Sequence, residues 1–235
     1  MDRMNFHLSY SPSKKTNKKE SYQLLVKERK LCSACNGVAN PSKIMNGVFD
    51  NEDQCIGPWS KLKGDLNAKV MVIGQDWGNE EYYIHQQGKP NPDNFTNKRL
   101  KDLLEIAGFD FDTTPMFFTN AILCMKKTKG LGGSVKTSWF RNCFDFLVKQ
   151  IKIVNPDVLI TLGSKPFEAL KPLYTNGCPS FKDAVNQREP IFLDMNGSII
   201  KHFPVYHCGK NGFRNRSKQD QINDWKRIRD YLIHC

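Results

Sequence analysis

Apolar blocks separated by polar, glycine-rich joints run along this chain, and their spacing alternates between strand-like and helix-like periods. "KVMVI", ending at Ile73, is a continuous apolar run of the length of a buried strand. "NKRLKDLLEIAGF" carries Leu100, Leu103, Leu104 and Ala107 at helical spacing, and Gly108 marks its end. "MFF", reaching Thr119 and Asn120, is strand-like. "TSWFRNCFDFLVKQIKIV" places Phe140, Phe144, Leu147 and Ile151 along one helical face, with Thr137 or Ser138 as its cap. "PDVLITLG" is a second fully apolar strand, and "SKPFEALKPLY" a short helix. In "IFLDMNGSII" the pair Asn196-Gly197 sits between two apolar runs, a hairpin signal. "HFPVYH" is a last strand. "SKQDQINDWKRIRDYLI" closes the chain as a helix with Ile222, Trp225, Ile228 and Leu232 facing inward.

Strands that alternate with helices predict an α/β fold, a mostly parallel sheet covered on both faces. Ligands of such sheets bind beyond the carboxyl ends of the strands. Gly74 to Gly78 follow the first strand, Asn120 ends the second, Gly163 and Ser164 follow the third, and His207 ends the last. An aspartate, an asparagine and a histidine are therefore expected at one edge. Upstream, "ESYQLLVKERK" predicts a short amphipathic helix behind a basic tail from Met1 to about Lys19. Asn36 to Leu66 reads as loops. No internal repeat is visible.

Composition narrows the class. The chain has 235 residues, enough for one large domain, and a formal charge of +11. That charge points to an anionic polymer as partner, nucleic acid first, against the alternative of a generally basic surface kept for solubility. No apolar run is long enough to span a membrane, and the N-terminus lacks the apolar centre of a signal peptide. We therefore expect a cytoplasmic, intracellular protein with no membrane association. Eight cysteines are many for such a chain. In "LCSACNG", Cys32 and Cys35 have the C-x-x-C spacing that lets two thiolates reach one metal centre, which needs further ligands from elsewhere.

Taken alone, the polar residues at the strand ends have structural alternatives. Asp76 suits a helix N-cap or an Asx-turn. Asn120 suits a turn cap, and His207 a structural histidine at the end of a strand. Phe95 suits the core, and the basic residues of "GKNGFRNRSK" a solvated loop.

The motifs "VMVIGQDWG", "FFTNAILC", "NPDVLITLGSKPFEAL" and "PVYHCGKNGFRNRS" resemble, in order and spacing, those of the uracil-DNA glycosylase superfamily. The likeness is greatest to its iron–sulfur branch, family 4, and covers roughly Leu31 to Leu232. It implies a three-layer α/β/α sandwich around a mostly parallel four-stranded sheet. It also implies a basic extension with a short helix over residues 1–30, followed by a single glycosylase domain over 31–235. The resemblance assigns the ligands of a 4Fe–4S cluster to Cys32, Cys35, Cys124 and Cys143. A four-thiolate zinc site is the alternative, and Cys55 the spare ligand if Cys143 points into the core.

The implied activity is that of a monofunctional DNA glycosylase, which flips out a pyrimidine and hydrolyses its N-glycosidic bond, leaving an abasic site. The implied protein is a monomer whose partner is DNA and which uses no nucleotide cofactor. By resemblance, Asp76 acts on the water and the sugar cation, and His207 donates to the departing base. Gly74, Gln75, Trp77 and Gly78 line the base, Asn120 reads its edge, and Phe95 stacks on it. Lys210, Phe213, Arg214 and Arg216 face the DNA. The iron–sulfur branch usually has G-E-A-P-G where this chain has G-Q-D-W-G, so an aspartate of another branch stands on an iron–sulfur scaffold. Uracil is the default base. Gly78 leaves the C5 side open, so a 5-substituted or hypermodified pyrimidine, as in phage DNA and with a defence role, is the alternative substrate. A module that binds uracil-DNA covalently or without catalysis is a further alternative, although the basic inserted loop of the covalent relatives is missing.

Overall fold

The computed structural model describes residues 17–128, 134–175, 177–195 and 197–234. Lys14 and Lys15 of the basic tail, Asn196 of the Asn-Gly pair, and Cys235 lie outside the described residues. Helix α1 (Lys18–Leu31) is followed by β1 (Val38–Ala39) and by 3-10 turns at Pro41–Gly47 and Pro58–Lys61. Then come β2 (Val70–Gly74), α2 (Glu80–His85), α3 (Phe95–Ile106), β3 (Met116–Asn120) and β4 (Met125–Lys126). The second half holds α4 (Thr137–Val154), β5 (Val158–Leu162), α5 (Ser164–Ala169), α6 (Phe181–Asn186), β6 (Ile191–Asp194), β7 (Ile199–Val205), a 3-10 turn at Lys210–Arg214, and α7 (Lys218–His234).

The main sheet has the order β3-β2-β5-β7-β6 and is flanked by helices on both faces. Strands β3, β2, β5 and β7 run parallel, which is the expected core of the sandwich. The expected count of four is one short: β6 adds a fifth strand, antiparallel to β7 at the edge. Only Leu193 of β6 is buried, as befits an edge strand, and the hairpin closes through Met195 N–H donating to Ser198 O at 2.9 Å.

Strand alternation sorts the core into two layers. Met71, Ile73, Phe117 and Leu159 face one side, with Leu25 and Val26 of α1 and Leu147 and Ile151 of α4. Val70, Val72, Phe118 and Ile160 face the other, with Leu100, Leu103 and Leu104 of α3 and Trp225 and Ile228 of α7. Since both faces of the parallel strands are covered, their sequences are mostly apolar, and buried exceptions such as Thr119, Thr161 and His202 have hydrogen-bond partners.

The helix caps differ in detail from the pattern. Lys136, not Thr137 or Ser138, occupies the N-cap of α4, without a side-chain cap, because both hydroxyl residues already lie in the first turn. The helix ends at Asn155 in a left-handed conformation, directly before Pro156. Helix α1 is tied down at its far end by Arg29, whose guanidinium forms a buried two-pronged pair with Asp50 at 2.5 and 2.9 Å. Among the described residues no helix is long and apolar enough to cross a membrane.

On β7, His202 is wholly buried, with Nε2 2.8 Å from Thr161 Oγ1, Nδ1 against the Tyr174 hydroxyl, and its ring stacked on Tyr174. Burial pushes its pKa down from 6.5 to about 3. The native state therefore binds fewer protons than the unfolded chain, and stability falls as pH drops from 6.5 toward 3. Between pH 6.5 and 5, wild type should lose about 2 kcal/mol more stability than a His202→Gln variant. Urea unfolding midpoints measured across that window check this.

Candidate active site

The parallel pairing of β2 with β3 sets Gly74 opposite Asn120 at the carboxyl edge of the sheet. Beyond the strands, the two chains stay zipped together. Ala121 N–H donates to Gly74 O at 2.8 Å, Ile122 N–H to Gln75 O at 2.9 Å, and Lys126 N–H to Gly78 O at 3.0 Å. Gly74 is required by close approach: a Cβ there would lie 2.7 Å from Asn120 Nδ2 and 3.0 Å from Trp59 Cζ3. Beside it, Trp59, Trp77, Thr119, Asn120 and Leu123 line a narrow recess. Trp77 is fixed by Tyr82, at 4.9 Å between ring centroids, and by an edge contact with Tyr83. Gly78 is buried with φ of 140°, a backbone state that itself favours glycine, whatever lies across from it.

Asp76 is not a helix cap. Asn79 caps α2, accepting Tyr82 N–H on its side chain. The Asp76 carboxylate instead accepts a hydrogen bond from Gln75 Nε2 at 2.6 Å on Oδ2 and meets Lys126 Nζ at 3.1 Å on Oδ1. Both members of this ion pair are buried, with side chains 6% and 5% exposed. Sequence patterning missed Lys126: in "CMKKTKG" it looks like one of a run of surface lysines, and only the position of β4 turns it inward.

His207 follows β7 and lies near enough to Asp76 to feel its charge. Burial pushes its pKa down, and the Asp76 carboxylate opposes that shift. Gly209 N–H donates to His207 Nδ1 at 2.9 Å. A neutral ring whose Nδ1 accepts must carry its proton on Nε2, so Nε2–H is the donor. Two glycines make this possible. A Cβ on Gly209 would fall 2.8 Å from His207 Cε1, and one on Gly212 would overlap the His207 carbonyl oxygen.

Phe95, the first residue of α3, is 42% exposed and meets Phe213 edge to face at 5.8 Å. Lys210 Nζ lies 5.7 Å from the centre of the Phe95 ring. Lys210 and Arg214 are exposed, and Phe213 is half-buried. Arg216, expected on the same surface, is half-buried and forms a two-pronged pair with buried Asp224 at 3.0 and 2.6 Å, with its guanidinium 5.7 Å from the Tyr206 ring.

Cys32, Cys35, Cys124 and Cys143 share one neighbourhood. Burial pushes the Cys124 thiol up to about 12, reinforced by repulsion from Cys143, Cys32 and Cys35. Burial likewise pushes Cys143 up to about 11, with Cys35 and Cys32 adding to the rise. Cys55 is elsewhere, with Lys61, Glu52 and Asp50 as its charged neighbours. The segment bearing the C-x-x-C is held by Trp139 Nε1 donating to Asn36 O at 2.9 Å, and by Asn142 Nδ2 donating to Ala34 O at 2.9 Å and to Cys35 Sγ at 3.3 Å. Among the described residues no group of three or more His, Cys, Asp or Glu is placed so that it could hold a metal ion. Mutual repulsion of thiolates in an apolar pocket is nevertheless what a bound cation relieves, and four thiols suit an iron–sulfur cluster or zinc.

Comparison with known proteins agrees with this geometry. The family model described as the uracil DNA glycosylase superfamily matches residues 63–229, more than half of the chain. A type-4 uracil-DNA glycosylase of Sulfurisphaera tokodaii is 22% identical over 172 residues, which is 73% of this chain and 73% of that protein. The matched region contains Asp76, Asn120, His207 and the glycines that hold them, and the chain belongs to the uracil DNA glycosylase superfamily as a DNA glycosylase.

Proposed function

We propose that this DNA glycosylase is monofunctional, and that it hydrolyses the N-glycosidic bond of a flipped-out pyrimidine, with uracil as the default base. The observation that carries the proposal is the hydrogen bond from Gly209 N–H to His207 Nδ1, which leaves Nε2 to donate, at the sheet edge that also bears Asp76 and Asn120. Breaking the bond gives the base negative charge and the sugar positive charge. A neutral imidazole donating to the base oxygen stabilises the first, and a carboxylate near the sugar stabilises the second and orients water. Asn120 offers one amide donor and one acceptor, a match for the O4 and N3–H edge of uracil. Gly74 and Gln75 supply the backbone beside the base, and Phe95 a stacking face. Lys210 and Arg214 would hold phosphates while Phe213 fills the vacated stack.

We infer that the four thiols bind a structural 4Fe–4S cluster, a reading supported by their shared apolar neighbourhood and, over zinc, by the likeness to a type-4 uracil-DNA glycosylase. Cys32, Cys35, Cys124 and Cys143 would hold it, pinning the N-terminal segment to the loop after β3. Protein purified without air should be brown and hold about four irons per chain, and Cys124→Ser should lose both iron and thermal stability. One zinc in a colourless protein would replace the cluster with the zinc alternative.

A pyrimidine with a substituent at C5 is the second substrate reading, because Gly78 has no side chain to close the C5 side. Mass spectrometry of the bases released from DNAs containing uracil, mismatched thymine and 5-substituted cytosines separates the two readings.

Asp76→Asn should slow base release by at least about a hundredfold and leave DNA affinity nearly unchanged, as measured by single-turnover assays and anisotropy. Gly209→Ala should push the His207 ring from its place, for a loss of at least about tenfold with the melting temperature largely retained. A rate equal to wild type in either variant removes that residue from the mechanism.

A further inference from the structure

Asp76 has two polar partners of different mechanical character. Gln75 is its neighbour in the chain and moves with the same loop. Lys126 belongs to β4, which pairs with β1 through Val38, and its own N–H bonds to Gly78 O across the site. Of the two, only Lys126 fixes the carboxylate relative to a second segment of the protein. Lysine is rarely buried unless paired, and here the partner is the carboxylate beside the reacting sugar.

We propose that Lys126 is a positioning residue that holds the Asp76 carboxylate, through their buried ion pair, in the orientation that aims the attacking water. The inference rests on the catalytic reading of Asp76. It also refines that reading. A cation 3.1 Å from Oδ1 weakens the pull of the carboxylate on a nearby sugar cation. The pair therefore suits an aspartate whose main task is to orient water, not one that supplies bare negative charge. A carboxylate has about four acceptor sites, so the bonds from Gln75 and Lys126 leave room for a water on the same group.

The two tasks predict opposite effects of removing the lysine. If Asp76 worked by bare charge, Lys126→Met would keep or raise the rate. If Lys126 positions it, Lys126→Met should slow single-turnover release of uracil from a duplex oligonucleotide by about ten- to a hundredfold. DNA affinity should stay within about threefold, and Lys126→Arg should restore part of the loss. Lys126 lies two residues from Cys124, so iron content and visible absorbance are measured on each variant and must match wild type. In an Asp76→Asn background, the same Lys126 substitution should change the rate by less than about threefold, because its effect passes through the carboxylate. If Lys126→Met does not fold, Lys126→Gln takes its place in the same comparison, since it removes the charge but keeps a polar side chain in the buried site.

A Lys126→Met rate equal to or above wild type, or losses that multiply in the double variant, would overturn the inference. Wild-type activity in Asp76→Asn would remove the catalytic reading and this inference together. Loss in Asp76→Asn with full activity in Lys126→Met would remove this inference alone.

Discussion

The site depends on a short run of backbone hydrogen bonds that continues the β2–β3 pairing past the ends of both strands. Gly74, Gln75 and Gly78 give their carbonyls to Ala121, Ile122 and Lys126. Loops at the end of a sheet usually diverge; these two advance together, so residues from one are held at fixed distance from residues of the other. Asn120 lies against Gly74 only because that position has no Cβ. Asp76 lies against Lys126 because the next bonds in the run bring β4 alongside. The Asn120 amide and the Asp76–Lys126 pair are thus set on main-chain geometry.

The same run joins the site to the cysteine-rich segment. Strand β4 pairs with β1, which follows the C-x-x-C within a few residues, and Cys124 immediately precedes β4. A group bound by the four thiols would act on the site only through rigidity, by keeping β1 and β4 in place. That is consistent with the separation of roles in the side chains. The thiols sit in an apolar pocket with Val38, Ile122 and Trp139, whereas the polar partners of Asp76 come from Gln75 and Lys126.

Much of the scaffold was legible because burial on both faces leaves an unambiguous record. The runs at Val70, Met116 and Val158 are apolar at nearly every position that the sheet covers, and the helical spacing of Leu100, Leu103 and Leu104 matches the face that packs. What escaped was set by contacts between distant segments. Two-residue strands such as β1 and β4 have no periodicity to read. Lys126 carries no mark that separates it from Lys127. Arg216 looks like part of a basic loop until α7 brings Asp224 under it. The N-cap role that was the alternative for Asp76 belongs to Asn79, three residues on, and the aspartate is paired instead with Gln75 and Lys126. At Gly78 the sequence suggests an opening for a substituent, whereas its φ of 140° gives it a backbone reason to be glycine.

The loop after β7 solves a different problem from the loop after β2. A histidine that must donate from Nε2 needs something to claim Nδ1, and a side chain able to do so would itself need positioning. Here a main-chain N–H does it, two residues along the same turn. The cost is steric: Gly209 lies against the ring and Gly212 against the His207 carbonyl, so neither position has room for a Cβ. The same compact turn then exposes Lys210 and Arg214 on its outer side. One short segment thus holds Nδ1 of the histidine on its inner face and presents positive charge on its outer face. Tightness within and charge without are two results of one folded turn, which explains why glycine and basic residues are interleaved in "HCGKNGFRNR".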